Sequence, residues 1–315
     1  MTTSVLRTAD AWWVETPTGA IRIDTRATTT GELLADRAAI DGAAASAQNS
    51  VAVDTLELCS PVTAPCRVVA QMLNFRSHAK DSGFDPDAVP TAFFRKTSGS
   101  ITGPAGDIVK PAHVNLLDYE VEIGLVFGRH IPVGTSIAAA DLADYVAGLV
   151  ITNDVSARDV QLPKTQFYEA KSYPTFTPVG PRLVLLDADE LARFTELRMQ
   201  LWVNGQLRQD QLAHDMIVQP VDALKVLTGF QALQPGDLLL TGTPGGTALK
   251  APPKPIELIG SLLPPALKWK IFFRKQASNP KYLKAGDVID IRIGTADGKI
   301  DLGRQRSVVR DGAVT

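Results

Sequence analysis

The chain has few of the features that mark secreted, membrane-spanning or nucleic-acid-binding proteins. Its only cysteines, Cys59 and Cys66, are too few for a disulfide framework and lack companion ligands at zinc-site spacing. No apolar run approaches the roughly 18 residues of a membrane span, and the first residues lack the apolar core of a signal peptide. The net charge is only -2, which argues against a general nucleic-acid or membrane-surface role. These absences favour a cytoplasmic protein with two reduced thiols.

Length and composition are those of an ordinary globular protein. The 315 residues, 45% hydrophobic and 21% charged, suffice for one large domain or for one large and one small domain. Two short strands within 11–25, a helical stretch at 31–47 and a Pro-punctuated stretch at 60–65 indicate a small N-terminal domain. We place that domain at 1–66 and the main domain at 67–315.

The main domain is predicted to be mainly β with some α structure. Strand candidates are 67–73, 92–96, 119–127, 147–153, 182–187, 198–203, 237–241 and 287–293, and helix candidates are 76–83, 138–145, 189–194 and 219–228. Asn204-Gly205 is typical of a hairpin turn. Many short strands with few helices predict a mixed, mainly β architecture.

Three carboxylates stand within or at the end of apolar runs. Glu120 and Glu122 are two residues apart, and a strand directs such residues to one face, roughly 7 Å apart. Asp154 ends a later apolar run. Like charges on an inward face are costly without a cation between them, although a bare Glu-x-Glu can also be a solvated strand edge. As oxygen donors, the three predict a divalent cation, Mg²⁺ first and Mn²⁺ or Ca²⁺ as alternatives. Removing any one of them is expected to abolish turnover and leave the fold intact.

Four phrases, in order, resemble the fumarylacetoacetate hydrolase family. They are Tyr119-Glu-Val-Glu-Ile-Gly, Thr152-Asn-Asp-Val-Ser-Ala-Arg-Asp, Phe176-Thr-Pro-Val-Gly-Pro and Thr241-Gly-Thr-Pro-Gly-Gly. The resemblance covers 67–248 and resumes near 283. It implies the family's mixed β-roll behind a small N-terminal domain, and a homodimer. It also implies a small oxo-acid or β-diketone substrate, with no nucleic-acid or membrane partner.

The resemblance extends to a proton-transfer pair. The segment 73–81 is similar to the family segment that carries a catalytic histidine, here His78, with an acid three residues on. That acid is Asp81, where relatives commonly have Glu. Because residues at i and i+3 share a helix face, Asp81 is expected to hold the imidazole in one tautomer and raise its basicity. Asp is one methylene shorter than Glu, so the contact is expected to need a water molecule or a helix shift.

Further site residues follow from matching family positions. The resemblance implies that Lys171 is catalytic, balancing the charge of the site and contacting an oxyanion, and that Arg158 also orients the metal ligands. The implied substrate-binding residues are Phe75, Arg76, Arg158, Gln161 and Thr243. The implied metal ligands are the three carboxylates already identified, Glu120, Glu122 and Asp154.

The family resemblance implies a metal-dependent hydrolase that cleaves a C–C bond in an acylpyruvate or related 1,3-dicarbonyl compound, in the catabolism of aromatic compounds. His78 would take a proton from water, and Lys171 with the Thr243 loop would stabilise the oxyanion. Relatives that decarboxylate, hydrate or isomerise 2-oxo-enoic acids with the same metal offer an alternative that needs no attacking water. A catalytically silent binding protein is the second alternative, which the retained site residues disfavour.

Residues 249–282 are an atypical insertion, because many relatives take a short path here. The stretch combines prolines, aromatic residues and basic residues: Pro252, Pro253, Pro255, Pro264, Pro265, Trp269, Phe272, Phe273, Lys268, Lys270, Arg274 and Lys275. It is interpreted as a surface excursion packed on its own aromatics, a substrate lid or a contact with a partner subunit. Between the last two, the stiff proline-rich path favours the partner contact.

Overall fold

The computed structural model of the chain describes residues 2–46, 49–252 and 263–313. Its strands are β1 Thr3–Arg7, β2 Trp12–Thr16, β3 Gly19–Arg22, β4 Val68–Met72, β5 Ala92–Lys96, β6 Ile101–Thr102, β7 Ile108–Lys110, β8 Leu117–Asp118, β9 Val121–Phe127, β10 Val146–Asn153, β11 Ser156–Ala157, β12 Thr177–Pro178, β13 Leu183–Leu185, β14 Arg198–Val203, β15 Gln206–Leu212, β16 Leu238–Leu240, β17 Val288–Gly294 and β18 Asp301–Asp311. Its helices are α1 Thr30–Ala35, α2 Arg37–Ala44, α3 Arg76–Asp81, α4 Leu142–Tyr145, α5 Arg158–Lys164, α6 Ala188–Leu191, α7 Pro220–Thr228 and α8 Pro265–Gln276.

Two sheets form the body of the molecule. A nine-stranded sheet has the order β3-β2-β1-β13-β10-β9-β16-β4-β5, and a five-stranded sheet has the order β15-β14-β17-β18-β7. Leu125 and Leu149 of the first sheet share one buried apolar cluster with Leu201 and Ile291 of the second. The two sheets therefore pack face to face, in a mixed and mainly β architecture of the kind that the sequence predicted.

The opposite face of the nine-stranded sheet is covered by the N-terminal helices. Leu33 of α1 and Ile40 of α2 share a second cluster with Val126 and Val150 of the central strands. Strand β9 is buried on both faces, which explains its continuous apolar run. β1 pairs antiparallel with β13, so the N-terminal strands extend the main sheet. The domain boundary at residue 66 stays a prediction.

The predicted strands of the main domain are all found, but the short strands β6, β7, β8, β11 and β12 and the longer β15 and β18 were not among the candidates. β18 is the longest of them. Its buried positions include Gln305 and Ser307 as well as Leu302 and Val309, so the alternation of apolar residues that marks a strand is weak. The 3₁₀ turn Ala139–Asp141 and α4 replace the single helix predicted at 138–145. No helix in the described part of the chain is long and apolar enough to cross a membrane.

The predicted insertion contains a helix, α8, at its C-terminal end. Residues 253–262, including Pro253 and Pro255, lie outside the described residues. Within α8, the rings of Trp269 and Phe273 stack with their centroids 5.5 Å apart, and Phe273 packs against the main core. Asn279 donates a hydrogen bond to the carbonyl oxygen of Ala248, at 2.9 Å. The described part of the insertion therefore packs on its own aromatics and on its own subunit.

Candidate active site

The three predicted metal ligands converge where β9 begins and β10 ends. One carboxylate oxygen from each of Glu120, Glu122 and Asp154 lies within 4.8 Å of the others, and the three residues are at most 4% exposed. The strand register pairs Thr152 with Glu122, and the amide of Asp154 donates to the carbonyl oxygen of Glu120, at 2.8 Å. The antiparallel pairing of β9 with β10 therefore brings Asp154 to the two glutamates.

Arg158 ties the triad to a fourth buried carboxylate. At the start of α5, its Nε donates to Oδ2 of Asp118 at 2.9 Å, and its guanidinium also binds Glu120. A third hydrogen bond runs to Oε1 of Gln161, at 2.9 Å. Arg158 therefore fixes the position of the Glu120 carboxylate, and its role towards a metal ligand stays a prediction. The side-chain oxygen of Gln161 is therefore already hydrogen-bonded to Arg158.

Two buried lysines neutralise the remaining carboxylate oxygens. Nζ of Lys171 lies 2.7 Å from Oε2 of Glu120 and 2.6 Å from Oδ2 of Asp154. Nζ of Lys96, at the end of β5, lies 2.5 Å from Oδ1 of Asp154 and 2.9 Å from the carbonyl oxygen of Phe176. Both lysines thus balance negative charge in the site; the catalytic role of Lys171 stays a prediction, and Lys96 was not singled out from the sequence.

Glu122 differs from the other two ligands because, among the described residues, no lysine or arginine contacts it. Its Oε2 accepts a hydrogen bond from the amide of Gly242, at 2.6 Å. Burial, reinforced by the charges of Asp154 and Glu120, raises the pKa of Glu122 well above its usual range. Although burial opposes the shift, Lys171 and Arg158 lower the pKa of Glu120 to about 2.

The donor set fits a divalent cation. All candidate ligands are carboxylate oxygens, the donor type that Mg²⁺, Mn²⁺ and Ca²⁺ prefer. Four buried carboxylates, Asp118 and the three ligands, face three buried cations, Arg158, Lys171 and Lys96. One negative charge is left over at Glu122, which a bound cation would compensate.

Gly242 holds its amide against Glu122 in a conformation that favours glycine. Its φ is +92°, in the left-handed region that L-residues rarely adopt. An added Cβ would lie 2.8 Å from Cβ of Asn74. The glycine in the motif Thr241-Gly-Thr therefore allows the backbone at residue 242 to come close to the carboxylate of Glu122.

His78 lies close to the triad, but Asp81 does not hold its imidazole. Nδ1 of His78 is buried and has no hydrogen-bond partner among the described residues. Asp81 instead accepts hydrogen bonds from the amide of Gly246 at 3.1 Å and from Nζ of Lys250 at 3.0 Å. The expected contact is absent because the shorter Asp side chain is held by the loop after Gly242. Burial lowers the pKa of His78, with the charge of Glu120 opposing the shift.

Three of the predicted substrate-binding residues have other roles in the structure. Phe75 is fully buried in the hydrophobic core, so its ring is not open to a ligand. Arg76 is on the surface and pairs with Asp87 at 2.8 Å. The hydroxyl of Thr243 donates to the carbonyl oxygen of Val121 at 2.9 Å. Direct substrate contacts by the side chains of Phe75, Arg76 and Thr243 stay predictions.

Gln209 and Asp118 are framework residues that sequence reasoning did not single out. Gln209 accepts a hydrogen bond from the amide of Val121 and donates to Oγ1 of Thr243, at 3.0 and 2.9 Å. Asp118 accepts hydrogen bonds from the amides of Tyr119, Ala248 and Leu249 as well as from Arg158. Asp118 opens the carboxylate motif, so its place in the sequence was a usable signal. For Gln209 and Lys96 no local signal exists.

A cavity of about 940 Å³ is lined by residues of 53–64, 101–106 and 303–306. None of the candidate site residues lines it. The chemistry of the buried carboxylates, rather than the size of this cavity, therefore identifies the candidate active site.

A model of the fumarylacetoacetate (FAA) hydrolase C-terminal domain matches residues 67–310. The chain belongs to this family. The match confirms the family that the sequence motifs suggested, and it runs across the insertion to the end of β18.

Curated relatives and solved structures extend this assignment. The chain is 36% identical over 196 residues to oxaloacetate tautomerase Fahd2a, mitochondrial, of Rattus norvegicus, covering 62% of this chain and 61% of the rat protein. It is 33% identical over 253 residues to oxaloacetate tautomerase YisK of Bacillus subtilis, covering 78% and 73%. The match thus spans about three fifths of the rat relative.

One solved structure is similar to this chain over the whole length of both proteins. It is that of a probable 2-hydroxyhepta-2,4-diene-1,7-dioate isomerase from Mycobacterium abscessus, with a TM-score of 0.75, 28% identity and complete coverage of both chains. The fumarylacetoacetate hydrolase fold predicted from the sequence is therefore confirmed.

Proposed function

We propose that this chain is a divalent-cation-dependent enzyme that tautomerises or isomerises a small 2-oxo acid through its enol form. Oxaloacetate is the first candidate substrate, since two similar proteins are oxaloacetate tautomerases. The observation that carries the proposal is the Nδ1 of His78, which bonds no group of the described residues and lies beside a buried carboxylate triad. An imidazole without an acid partner can move a proton, but it lacks the paired carboxylate that would strengthen it as a base towards water.

The residues of the site suit proton transfer at carbon. A divalent cation held by Glu120, Glu122 and Asp154 would act as a Lewis acid on the oxo group and acidify the neighbouring C–H. Because its pKa is lowered, the imidazole of His78 is uncharged near neutral pH and can accept that proton. Returning the proton to the enolate oxygen completes a keto-to-enol conversion without water or a co-reactant. Lys171 and Arg158 hold the ligand oxygens in place throughout.

Hydrolysis of a C–C bond in an acylpyruvate is the second candidate. The buried Nδ1 of His78 could bond a water molecule, since no group of the described chain bonds it. Lys171, however, directs its ammonium to Glu120 and Asp154, so an oxyanion would compete with two carboxylates for it. Tautomerisation makes no such demand and is the proposal that the geometry supports better.

One assay separates the two reactions. Purified protein is mixed with oxaloacetate and with a panel of acylpyruvates, with Mg²⁺ or Mn²⁺ or with excess chelator, and the loss of enol ultraviolet absorbance is followed. Coupled lactate dehydrogenase detects pyruvate, which hydrolysis or decarboxylation releases and tautomerisation does not. We expect faster equilibration of oxaloacetate without pyruvate, abolished by chelator. Stoichiometric pyruvate from an acylpyruvate, with no effect on oxaloacetate equilibration, would establish the hydrolase instead.

Two variants calibrate that assay. Glu122→Gln removes one ligand oxygen while keeping the shape of the side chain, and it should be inactive. Glu57→Gln is the matched control, because Glu57 is exposed and forms no ion pair with the described residues. A homodimer and a cytoplasmic location, which the sequence suggested, stay predictions.

A further inference from the structure

The helix that carries His78 is held from outside by Asp215, which accepts hydrogen bonds from the amide and hydroxyl of Ser77, and by one loop. The amide of Gly245 donates to Oγ of Ser77 at 3.0 Å, and the amide of Gly246 donates to Oδ2 of Asp81 at 3.1 Å. The amide of Ala251 donates to the carbonyl oxygen of Asp81, at 2.9 Å. Residues 245–251, here called the clamp loop, therefore contact both ends of α3.

The clamp loop also contacts the buried carboxylate of Asp118 from its other side. The amides of Ala248 and Leu249 donate to the two carboxylate oxygens of Asp118, at 2.8 and 3.2 Å. Asp118 in turn accepts a hydrogen bond from Arg158, which binds Glu120. One stretch of backbone thus links the helix of His78 to Asp118, which binds the arginine partner of a candidate metal ligand.

Lys250 supplies the charged contact of the clamp loop. Its Nζ lies 3.0 Å from Oδ1 of Asp81, and the two side chains are 52% and 26% exposed. An exposed ion pair contributes little by itself. Here, however, the same carboxylate also accepts a hydrogen bond from the amide of Gly246. Lys250 is therefore the second donor to the side chain of Asp81, the last residue of α3. A helix of only six residues is marginal without such outside contacts.

We propose that Lys250 is a positioning residue, whose ion pair with Asp81 holds α3, and with it His78, in register with the metal ligands. Asp81 is then an anchor for the helix, and the imidazole works without it. The proposal rests on the proposed function only for its kinetic arm.

Amide hydrogen exchange tests the positioning role without any substrate. In Lys250→Met, exchange at the amides of α3 should accelerate about threefold to tenfold, the range that loss of one partly exposed charged contact allows, while exchange in β14 stays unchanged. Lys250→Arg should restore protection, because it keeps the charge. The matched control is Lys80→Met, since Lys80 is exposed on the same helix and forms no ion pair with the described residues.

Asp81→Asn separates the ion pair from the rest of the loop. The asparagine oxygen can still accept from the amide of Gly246 but cannot pair with Lys250. The double variant with Lys250→Met should therefore exchange no faster than the faster single variant. If the two changes accelerate exchange independently, so that their effects multiply, Lys250 does not act through Asp81. Unchanged exchange in Lys250→Met, or equal acceleration throughout the protein, would also contradict the proposal.

The kinetic arm uses the complete enzyme with its divalent cation. In Lys250→Met, kcat should fall about threefold to tenfold, in step with the loss of protection, while KM and the affinity for Mn²⁺ stay within twofold of wild type, because Lys250 touches no metal ligand. A fall in Mn²⁺ affinity would overturn the assignment. If the wild-type protein turns over no 2-oxo acid, the proposed function fails, whereas the exchange measurements still decide the role of Lys250.

Discussion

Nζ of Lys96 lies 2.5 Å from Oδ1 of Asp154, and neither side chain is exposed to solvent. Lys96 ends the edge strand β5, and Asp154 follows β10, so the contact joins two strands that are not neighbours in the nine-stranded sheet. Asp154 therefore has two lysine partners, Lys96 and Lys171, one for each carboxylate oxygen. The metal-free site is stabilised by this internal neutralisation.

Replacing Lys96 by methionine is expected to destabilise the metal-free protein more than the metal-bound protein. The change leaves Oδ1 of Asp154 buried without its cation, and breaking a buried pair in this way costs about 3–5 kcal/mol. A divalent cation would restore part of that loss. Thermal unfolding with chelator and with Mn²⁺ measures both effects. Lys284→Met, at an exposed lysine, is the control, and an equal loss of stability with and without Mn²⁺ would contradict the prediction.

Glu122 and Glu120 are expected to respond differently to neutralisation, contrary to the uniform expectation from the sequence. Glu122→Gln should abolish metal binding while leaving metal-free stability equal or higher, because the raised pKa of Glu122 shows that its charge is unfavourable there. Glu120→Gln should also weaken metal binding, but it removes one of the two carboxylate partners of Arg158 and one of the two of Lys171. Because these buried cations lose charged acceptors, the change should cost about 1–3 kcal/mol of metal-free stability. Calorimetric titration with Mn²⁺ and thermal unfolding with chelator check both. Equal stability of the two variants would refute this ranking.

His78→Ala is expected to lower the turnover of the 2-oxo acid substrate by about 10²–10⁴-fold, the usual contribution of a general acid or base. Metal affinity should not change, because His78 is not a ligand. Asp81→Asn should cost much less, since Asp81 contacts Gly246 and Lys250 and not the imidazole. Steady-state kinetics and Mn²⁺ titration of both variants provide the test. A larger loss in Asp81→Asn than in His78→Ala would show that the acid acts on the chemistry directly.

Replacing residues 252–280 with a short Gly/Ser link is expected to lower thermal stability. The deletion removes Phe273 from the core and the hydrogen bond from Asn279 to Ala248. If the insertion also contacts a partner subunit, the deletion shifts the protein towards monomer in sedimentation. A deletion variant that stays dimeric but loses substrate affinity would identify the insertion as a lid instead.

A double substitution tests the predicted partner contact without removing the helix. Leu267 and Ile271 are one turn apart on α8 and are 44% and 45% exposed. Leu267→Ser with Ile271→Ser should therefore weaken a dimer formed through α8 while changing thermal stability little. Leu207→Ser, at a leucine that is 49% exposed on β15, is the control. Unchanged sedimentation of the double variant would place the dimer contact elsewhere.

Much of the architecture follows from local patterns. The apolar runs of β9, β10 and β16 locate the central strands, and the two-residue spacing of Glu120 and Glu122 places both on one face of the chain. β18 escaped this reasoning because Gln305 and Ser307 occupy inward positions that apolar residues usually hold. The helix α8 was not predicted because the prolines and aromatic residues of this stretch suggested a long loop.

The sequence by itself determined the carboxylate triad, since strand periodicity and the apolar runs around it are local properties of the chain. Only the tertiary structure decided which groups neutralise that triad. Lys96 and Asp154 are 58 positions apart, and Asp81 and Lys250 are 169 apart, so no local pattern connects them. Short-range spacing decides which face of a strand or helix a side chain occupies. The order of the strands and the paths of the loops decide which distant groups lie beside it. Because a buried charge is costly without a partner, the groups that the packing brings close to the carboxylates determine how their charge is neutralised.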